Sequence, residues 1–174
     1  MIPAEVRTER LLLRQWRADD AERMAEIYAE PRFLEHMPFH DLGETQAQLE
    51  RFARNWREHG YSHLAVEEAA SERLIGRAGL LRHDDWPLAE YAVEVGWSLD
   101  PEYWGRGYAT EAGRAGVECW RERLTERQLI SITAPANDRS RAVMERLGFT
   151  LRGDTHWHGW AVVWYALDRL PARG

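Results

Sequence analysis

The chain has 174 residues, a formal net charge of −6 and no lysine; its basic side chains are arginines scattered among acidic ones. That length suits one domain with one sizeable core, and 44% hydrophobic residues with nine tryptophans exclude a disordered chain. The scattered charge argues against a nucleic-acid footprint, and no stretch approaches the roughly 20 apolar residues of a membrane span.

In chain order, residues 8–16, with Leu11-Leu12-Leu13 between arginines, predict a first strand. Asp19 or Asp20 can cap a helix whose apolar face is Ala21, Met24, Ala25 and Tyr28, closed by Pro31. Residues 33–42 read as a loop. Residues 45–59 form a second helix, because Leu49, Phe52, Ala53 and Trp56 keep helical spacing and Gly60 follows as a stop. Strands over 62–67 and 74–81 flank an Ala-Ala-Ser-Glu turn. Residues 82–88 are too polar and proline-broken to be regular.

The strongest signal follows. Residues 89–99 mix β-branched, aromatic and small side chains and stop at Asp100-Pro101, which predicts a strand. Gly105 and Gly107 then make a turn, and small or apolar residues at 109, 112, 116 and 119/120 predict a helix. A strand running through a glycine turn into a helix leaves backbone N–H groups and a positive dipole end for an anion such as phosphate. A P-loop is excluded, since it needs a lysine. A dinucleotide fingerprint fits poorly, since Thr110 stands where its third glycine or alanine belongs. Beyond this stretch, residues 128–134 alternate as a strand, and Pro135-Ala136-Asn137 turns into a helix with Val143, Met144 and Leu147 inward. Gly148 ends that helix. A short strand runs from Phe149 to about Thr155. A last strand over 160–167 is apolar on both faces and so expected to be covered on both.

The string Trp104-Gly105-Arg106-Gly107-Tyr108-Ala109 resembles motif A of the GNAT superfamily of acyl-CoA-dependent N-acetyltransferases, Gln/Arg-x-x-Gly-x-Gly/Ala, with Trp104 at the first position. That departure is itself typical of the RimJ/RimL-type branch, whose Tyr-Trp-Gly-x-Gly-Tyr-Ala-Thr-Glu-Ala is matched from Tyr103 to Ala112. Three further segments are similar to this branch: Glu9 to Trp16, Asn137 to Phe149 and Trp164 to Leu167. The resemblance implies an α+β GNAT fold: a central mixed, mostly antiparallel sheet of about seven strands flanked by about four helices. It covers a single domain over 1–174 with its core at about 8–168. It implies acetyl-CoA as co-substrate and a primary amine acceptor, either a protein N-terminus or a small molecule. A homodimer is plausible on the same ground.

The resemblance also assigns roles. Backbone N–H groups from Arg106 to Thr110, within the run Trp104, Gly105, Arg106, Gly107, Tyr108, Ala109 and Thr110, take the pyrophosphate, and Arg106 can add charge-assisted bonds. The backbone of Trp97, Ser98 and Leu99 pairs with the pantetheine arm. Many relatives carry a tyrosine at the position of Met144; here Ser140, one turn earlier on the same helix face, stands near the leaving sulfur. Ser140 and Asn137 can equally be helix caps. Asn137 is otherwise a contact to the cofactor arm, and Tyr108 and Tyr165 are the alternative donors should Ser140 not serve.

From the residues themselves, Glu94 is the candidate base: a carboxylate in a largely apolar strand, raised in pKa by burial, with pairing to an arginine as the competing role. Glu90 is a weaker candidate nearer solvent. The irregular segments 33–42, 83–86 and 156–160 would wall an acceptor pocket, with His83, Trp86, Trp157 and Trp160 against the substrate. The seven histidines show no ligand spacing, so no metal is expected. Lone Cys119 lies on an apolar helix stripe as a structural thiol, and the N-terminus lacks a signal-peptide core, so a cytoplasmic location is expected. The overall charge leans to cationic or neutral substrates. The alternative function is an acyl-CoA-binding or regulatory protein without turnover.

Overall fold

The computed structural model describes residues 2–35 and 40–169. In chain order the elements are β1 (Glu5–Arg7), β2 (Leu11–Arg14), α1 (Asp20–Tyr28), α2 (Pro31–Leu34), α3 (Leu42–His59), β3 (His63–Glu68), β4 (Arg73–His83) and β5 (Ala92–Leu99). After a 3-10 turn (Pro101–Tyr103) come α4 (Tyr108–Arg123), β6 (Gln128–Thr133), α5 (Asp138–Arg146), β7 (Thr150–Trp157) and β8 (Trp160–Asp168). The strands make one sheet in the order β1-β2-β3-β4-β5-β6-β8-β7. Every neighbouring pair is antiparallel except β5 and β6, which run parallel. The α+β class is as expected; the described residues form eight strands in place of about seven, because Glu5–Arg7 pair as an extra strand ahead of the expected first one, which itself is confined to Leu11–Arg14. Thr8 N–H donates to Leu11 O at 2.9 Å, turning the chain between β1 and β2.

Local chemistry explains the other boundaries. Helix α3 starts at Leu42, earlier than the expected residue 45. Asp41 accepts from Glu44 N–H at 2.8 Å while the Glu44 side chain accepts from Asp41 N–H at 3.0 Å, a capping box. It ends at Gly60, whose φ of 78° only glycine adopts without strain. The expected loop over 33–42 contains the end of α2, with Phe33 buried; of the rest, residues 36–39 lie outside the described residues. The β7–β8 hairpin turns through His158 and Gly159 alone, both at positive φ, a geometry that matches the twist of the flanking strands. The last strand is not covered on both faces: Trp160 and Ala161 are exposed, and burial begins at Val162.

Alternation along β4 and β5 sorts side chains to two faces. Leu80, Val93 and Val95 meet Val117 and Trp120 of α4 and Met144 of α5 in the larger core. On the other face Leu81 packs on Ala21 of α1 and on Leu49 and Phe52 of α3. Each such large apolar side chain, fully buried, contributes about 1.5–3 kcal/mol. Helix α4 lies close to the sheet because a Cβ on Gly116 would stand 2.7 Å from Val95 Cγ2, and one on Gly113 would stand 2.7 Å from Leu147 Cδ1. Among the described residues no helix is long and apolar enough to cross a membrane.

Candidate active site

Strands β4 and β5 pair along their whole length, from Gly76 with Leu99 to His83 with Ala92. Strands β5 and β6 meet only at Glu94 and Ile130. Beyond that point they part, and the β6-facing edge of residues 95–99 makes no ladder with a neighbour. The Ser131 hydroxyl donates to Val95 O at 2.9 Å across the start of the gap. Trp104 Nε1–H donates to Leu99 O at 2.8 Å at its far end. Ser98 and Leu99 are buried, and Trp97 lies half-buried with its ring against α4 at Gly113.

The glycine turn follows at the end of that edge. Gly105 and Gly107 have φ of 76° and 84°, the left-handed region that costs other residues about 1–2 kcal/mol. Gly107 is the residue before α4 and offers no side-chain cap; Glu111 N–H is the first to reach back, to Gly107 O at 3.0 Å. The N–H groups from Gly105 to Thr110 donate to no described residue, and a Cβ on Gly105 would meet nothing within 4 Å. The result is an open cradle of amide donors at the positive end of a helix.

Several arginines surround the cradle. Arg106 lies 5.3 Å over the Tyr103 ring, Arg139 of α5 lies 5.0 Å over the Trp104 ring, and Arg146 donates to Thr110 Oγ1 at 3.4 Å. Of these, sequence reasoning found only Arg106. It also missed what braces the turn. The Glu111 carboxylate accepts from Thr8 Oγ1 at 2.6 Å, from Arg10 N–H at 2.8 Å and from Arg10 Nε at 2.8 Å, while Arg10 Nη1 donates to Arg106 O at 2.9 Å. Desolvation pushes the Glu111 carboxyl up, and these hydrogen bonds outweigh it, so it titrates below its usual range. The clamp joins residues 101 apart, which no local pattern reveals.

Glu94 sits where the two strands separate, and its partner is His83, not an arginine. His83 Nε2 lies 2.7 Å from Glu94 Oε2, with side-chain exposures of 12% and 13%. The His83 ring meets Trp157 edge-on at 4.6 Å, and Trp157 meets buried Trp86 at 5.5 Å. Three of the four expected substrate-side residues therefore gather beside Glu94. Trp160 does not: it is 63% exposed at the hairpin. Glu90 is exposed, as expected.

On the other side of the gap, α5 begins with Asn137, whose Oδ1 accepts from Ser140 N–H at 3.1 Å. Asn137 is thus the helix cap, and the Ser140 hydroxyl has no partner among the described residues. Met144 lies one turn on, 1% exposed in the core. The two tyrosine hydroxyls are both occupied. Tyr108 donates to Glu68 Oε1 at 2.5 Å. Tyr165 accepts from Arg141 at 3.1 Å and donates to Glu145 at 3.2 Å.

The profile of the acetyltransferase (GNAT) domain matches residues 10–150. YnaD, an N-acetyltransferase of Bacillus subtilis, is 24% identical over 148 residues, covering 85% of this chain and 84% of its own. An acetyltransferase from Agrobacterium tumefaciens superposes with a TM-score of 0.81 at 31% identity, covering 97% of this chain and 96% of its own. RimL, a ribosomal-protein alpha-N-acetyltransferase solved in complex with coenzyme A, shares the fold at a TM-score of 0.73 and 19% identity, covering 96% of this chain and 97% of its own. A split parallel strand pair, a glycine cradle opening a helix and a profile match over most of the sequence agree: the chain belongs to the GNAT family of acetyltransferases, which draw their acetyl group from acetyl-CoA.

Proposed function

We propose that the protein transfers an acetyl group from acetyl-CoA to a primary amine, by direct attack of the amine in a ternary complex. The observation that carries this reading is the position of Glu94 at the parting of β5 and β6, with its carboxylate held by His83. Bound acetyl-CoA supplies an activated thioester carbonyl. The chain's own residues supply the rest. The amide donors of Gly105, Arg106, Gly107, Tyr108, Ala109 and Thr110 hold a diphosphate, and Arg106, Arg139 and Arg146 add charge around it. The unpaired edge of β5 receives an extended arm as a further strand, chiefly at Trp97 and Ser98, because the Leu99 carbonyl already serves Trp104.

An amine attacks only through its lone pair, and α-amino groups titrate near ~8 while lysine side chains titrate near ~10.4. Glu94 takes that proton, directly or through water, and His83 fixes the position of the carboxylate. Ser140 offers its hydroxyl to the leaving sulfur, a task that buried Met144 cannot perform and that the engaged hydroxyls of Tyr108 and Tyr165 leave open. No acyl-enzyme is needed, because Cys119 is packed against the core and its thiol is pushed up by burial and by Glu122 and Glu118. The acceptor is a protein N-terminus or a small-molecule amine, met in the cytoplasm.

The test is calorimetry with acetyl-CoA followed by release of free CoA across a panel of amines. Binding with turnover on at least one amine is expected. Binding without turnover on any of them would make the protein an acyl-CoA-binding or regulatory member of its family. No heat at millimolar acetyl-CoA would overturn the cofactor site itself.

A further inference from the structure

The face of the sheet that carries Glu94 also carries Arg77, a cation with no ion pair among the described residues, and helix α3, which packs on that face, brings Arg51 near it. Arg77 stands opposite Ser98 and Leu81 opposite Glu94, so Arg77 and Glu94 share that face. Arg77 is buried at 8% exposure, and its hydrogen-bond partners are neutral. Its Nε donates to Tyr28 Oη at 2.8 Å, and Tyr28 passes its own proton to Gln48 Oε1 at 2.5 Å. Its Nη1 lies 2.5 Å from His63 Nδ1. Guanidinium only donates, so that ring nitrogen accepts and the His63 proton sits on Nε2, which lies against Gly96 and reaches no partner among the described residues. Desolvation and then the charge of Arg77 hold His63 well below the usual histidine range, so it is neutral.

No carboxylate pairs with Arg77 among the described residues, and residues 36–39 and 170–174 contain no acidic side chain. The same molecule shows what an ordinary buried arginine looks like. Arg14, at 6% exposure, is bracketed by Asp20 and Glu67. Arg51 of α3 is the second case: exposed at the rim and without an ion pair among the described residues. It lies 5.9 Å from the Phe52 ring, which Arg77 approaches to 5.6 Å. Asp85 is the acid that Arg51 senses, but Asp85 pairs with His158 at 3.0 Å. A buried cation is stable when something pairs with it, and two guanidiniums lying 5.9 and 5.6 Å from the Phe52 ring offer donors that suit the planar oxygens of a carboxylate or phosphate.

We infer that the acceptor carries an anionic group besides its amine, a carboxylate or a phosphate ester that Arg77 and Arg51 receive while the amine lies at Glu94. This rests on the transferase reading above and narrows it. It also reverses what the net charge of −6 suggested, because two cations at contact distance outweigh a scattered field screened over about 8–10 Å.

The experiment compares matched acceptors by CoA release: β-alanine with its amide, phosphoethanolamine with ethanolamine, and peptides beginning with Asp or Asn. The first two pairs separate carboxylate from phosphate, and the third asks whether the anion belongs to a polypeptide. A negative group raises the pKa of a neighbouring amine, so reactivity alone favours the neutral member of each pair. The expected result is at least tenfold lower KM for the anionic member of one pair, which is ~1.4 kcal/mol. In Arg51→Gln that ratio should shrink at least threefold. Arg77→Lys, checked for folding by thermal melting, should shrink it further. Neutral members turned over as well or better in all three pairs would overturn this inference alone, as would an Arg51→Gln ratio equal to that of the unaltered protein. Turnover on none of the six would take the transferase reading down with it.

Discussion

The two sides of the gap between β5 and β6 are built differently. The proposed cofactor side is backbone: an unpaired strand edge, two left-handed glycines and the first turn of α4, all within residues 95–110. The proposed acceptor side is side chains brought from five elements and a connecting segment: Tyr28 of α1, Arg51 of α3, His63 of β3, Arg77 and His83 of β4, Glu94 of β5, and Trp86 between β4 and β5. Backbone geometry tolerates changes of side chain provided the glycines and the helix start remain. An assembly of distant side chains changes with each of its members. The first arrangement suits a co-substrate shared across a family, and the second suits an acceptor that varies within it.

That contrast is sharpest at Glu94. Replacing it with glutamine keeps the shape and removes the proton acceptor, so kcat/KM at neutral pH should fall about 100-fold or more. Assayed at rising pH, the deficit should narrow as the amine loses its proton unaided. A constant deficit across the pH range would remove Glu94 from proton transfer.

On the cofactor side the largest effect should come from Glu111→Ala, which strands Thr8 and Arg10 together. The lost hydrogen bonds to a largely buried carboxylate cost about 2 kcal/mol, read as a lower midpoint in urea. Acetyl-CoA affinity should fall with it, while acceptor KM at saturating cofactor stays the same. Gly107→Ala is the milder test of the same region. A left-handed alanine costs about 1–2 kcal/mol, and its Cβ would stand 3.4 Å from Arg10 Nη2. Calorimetry should show acetyl-CoA binding weakened about tenfold, or ~1.4 kcal/mol. Unchanged affinity would mean that the turn's conformation is not what grips the ligand.

A further expected effect belongs to the proposed acceptor side and needs no substrate. His63 is buried and neutral in the fold, its pKa held well below 6.5, whereas the unfolded chain takes up a proton near that value. Stability from this group is complete above pH 6.5. Below it, the unfolded state binds the proton first, and up to about 1.4 kcal/mol is lost per pH unit. Melting curves at pH 7 and pH 5 should show that loss, and His63→Gln should flatten the difference.

The same contrast explains what the amino-acid sequence disclosed. The glycine turn and the start of α4 were legible because every signal lies within a few consecutive residues. The α5 start was half legible: Asn137 and Ser140 were both possible caps, and only geometry separates Asn137 as the cap from Ser140 with its open hydroxyl. Residues 8–16 looked like one strand because leucines and arginines run through them. What turns the chain there is Glu111, far away in sequence. His83 fell in a stretch too polar to read as a strand, yet it ends β4 and faces Glu94 through an antiparallel register that composition does not encode. The Arg77 environment was not legible at all, since the lack of a carboxylate partner among the described residues is a property of three dimensions.

The unpaired edge of β5 has one more consequence. A row of exposed peptide groups on a sheet margin is normally a hazard, because any passing chain can zip onto it and seed aggregates. Here that row lies inside the protein, flanked by β6 and bounded by Ser131 at one end and Trp104 at the other. A strand edge set between two neighbouring elements is reached by a single extended arm more readily than by the edge of another folded sheet. What would be a liability on the outside is here shielded from other sheets.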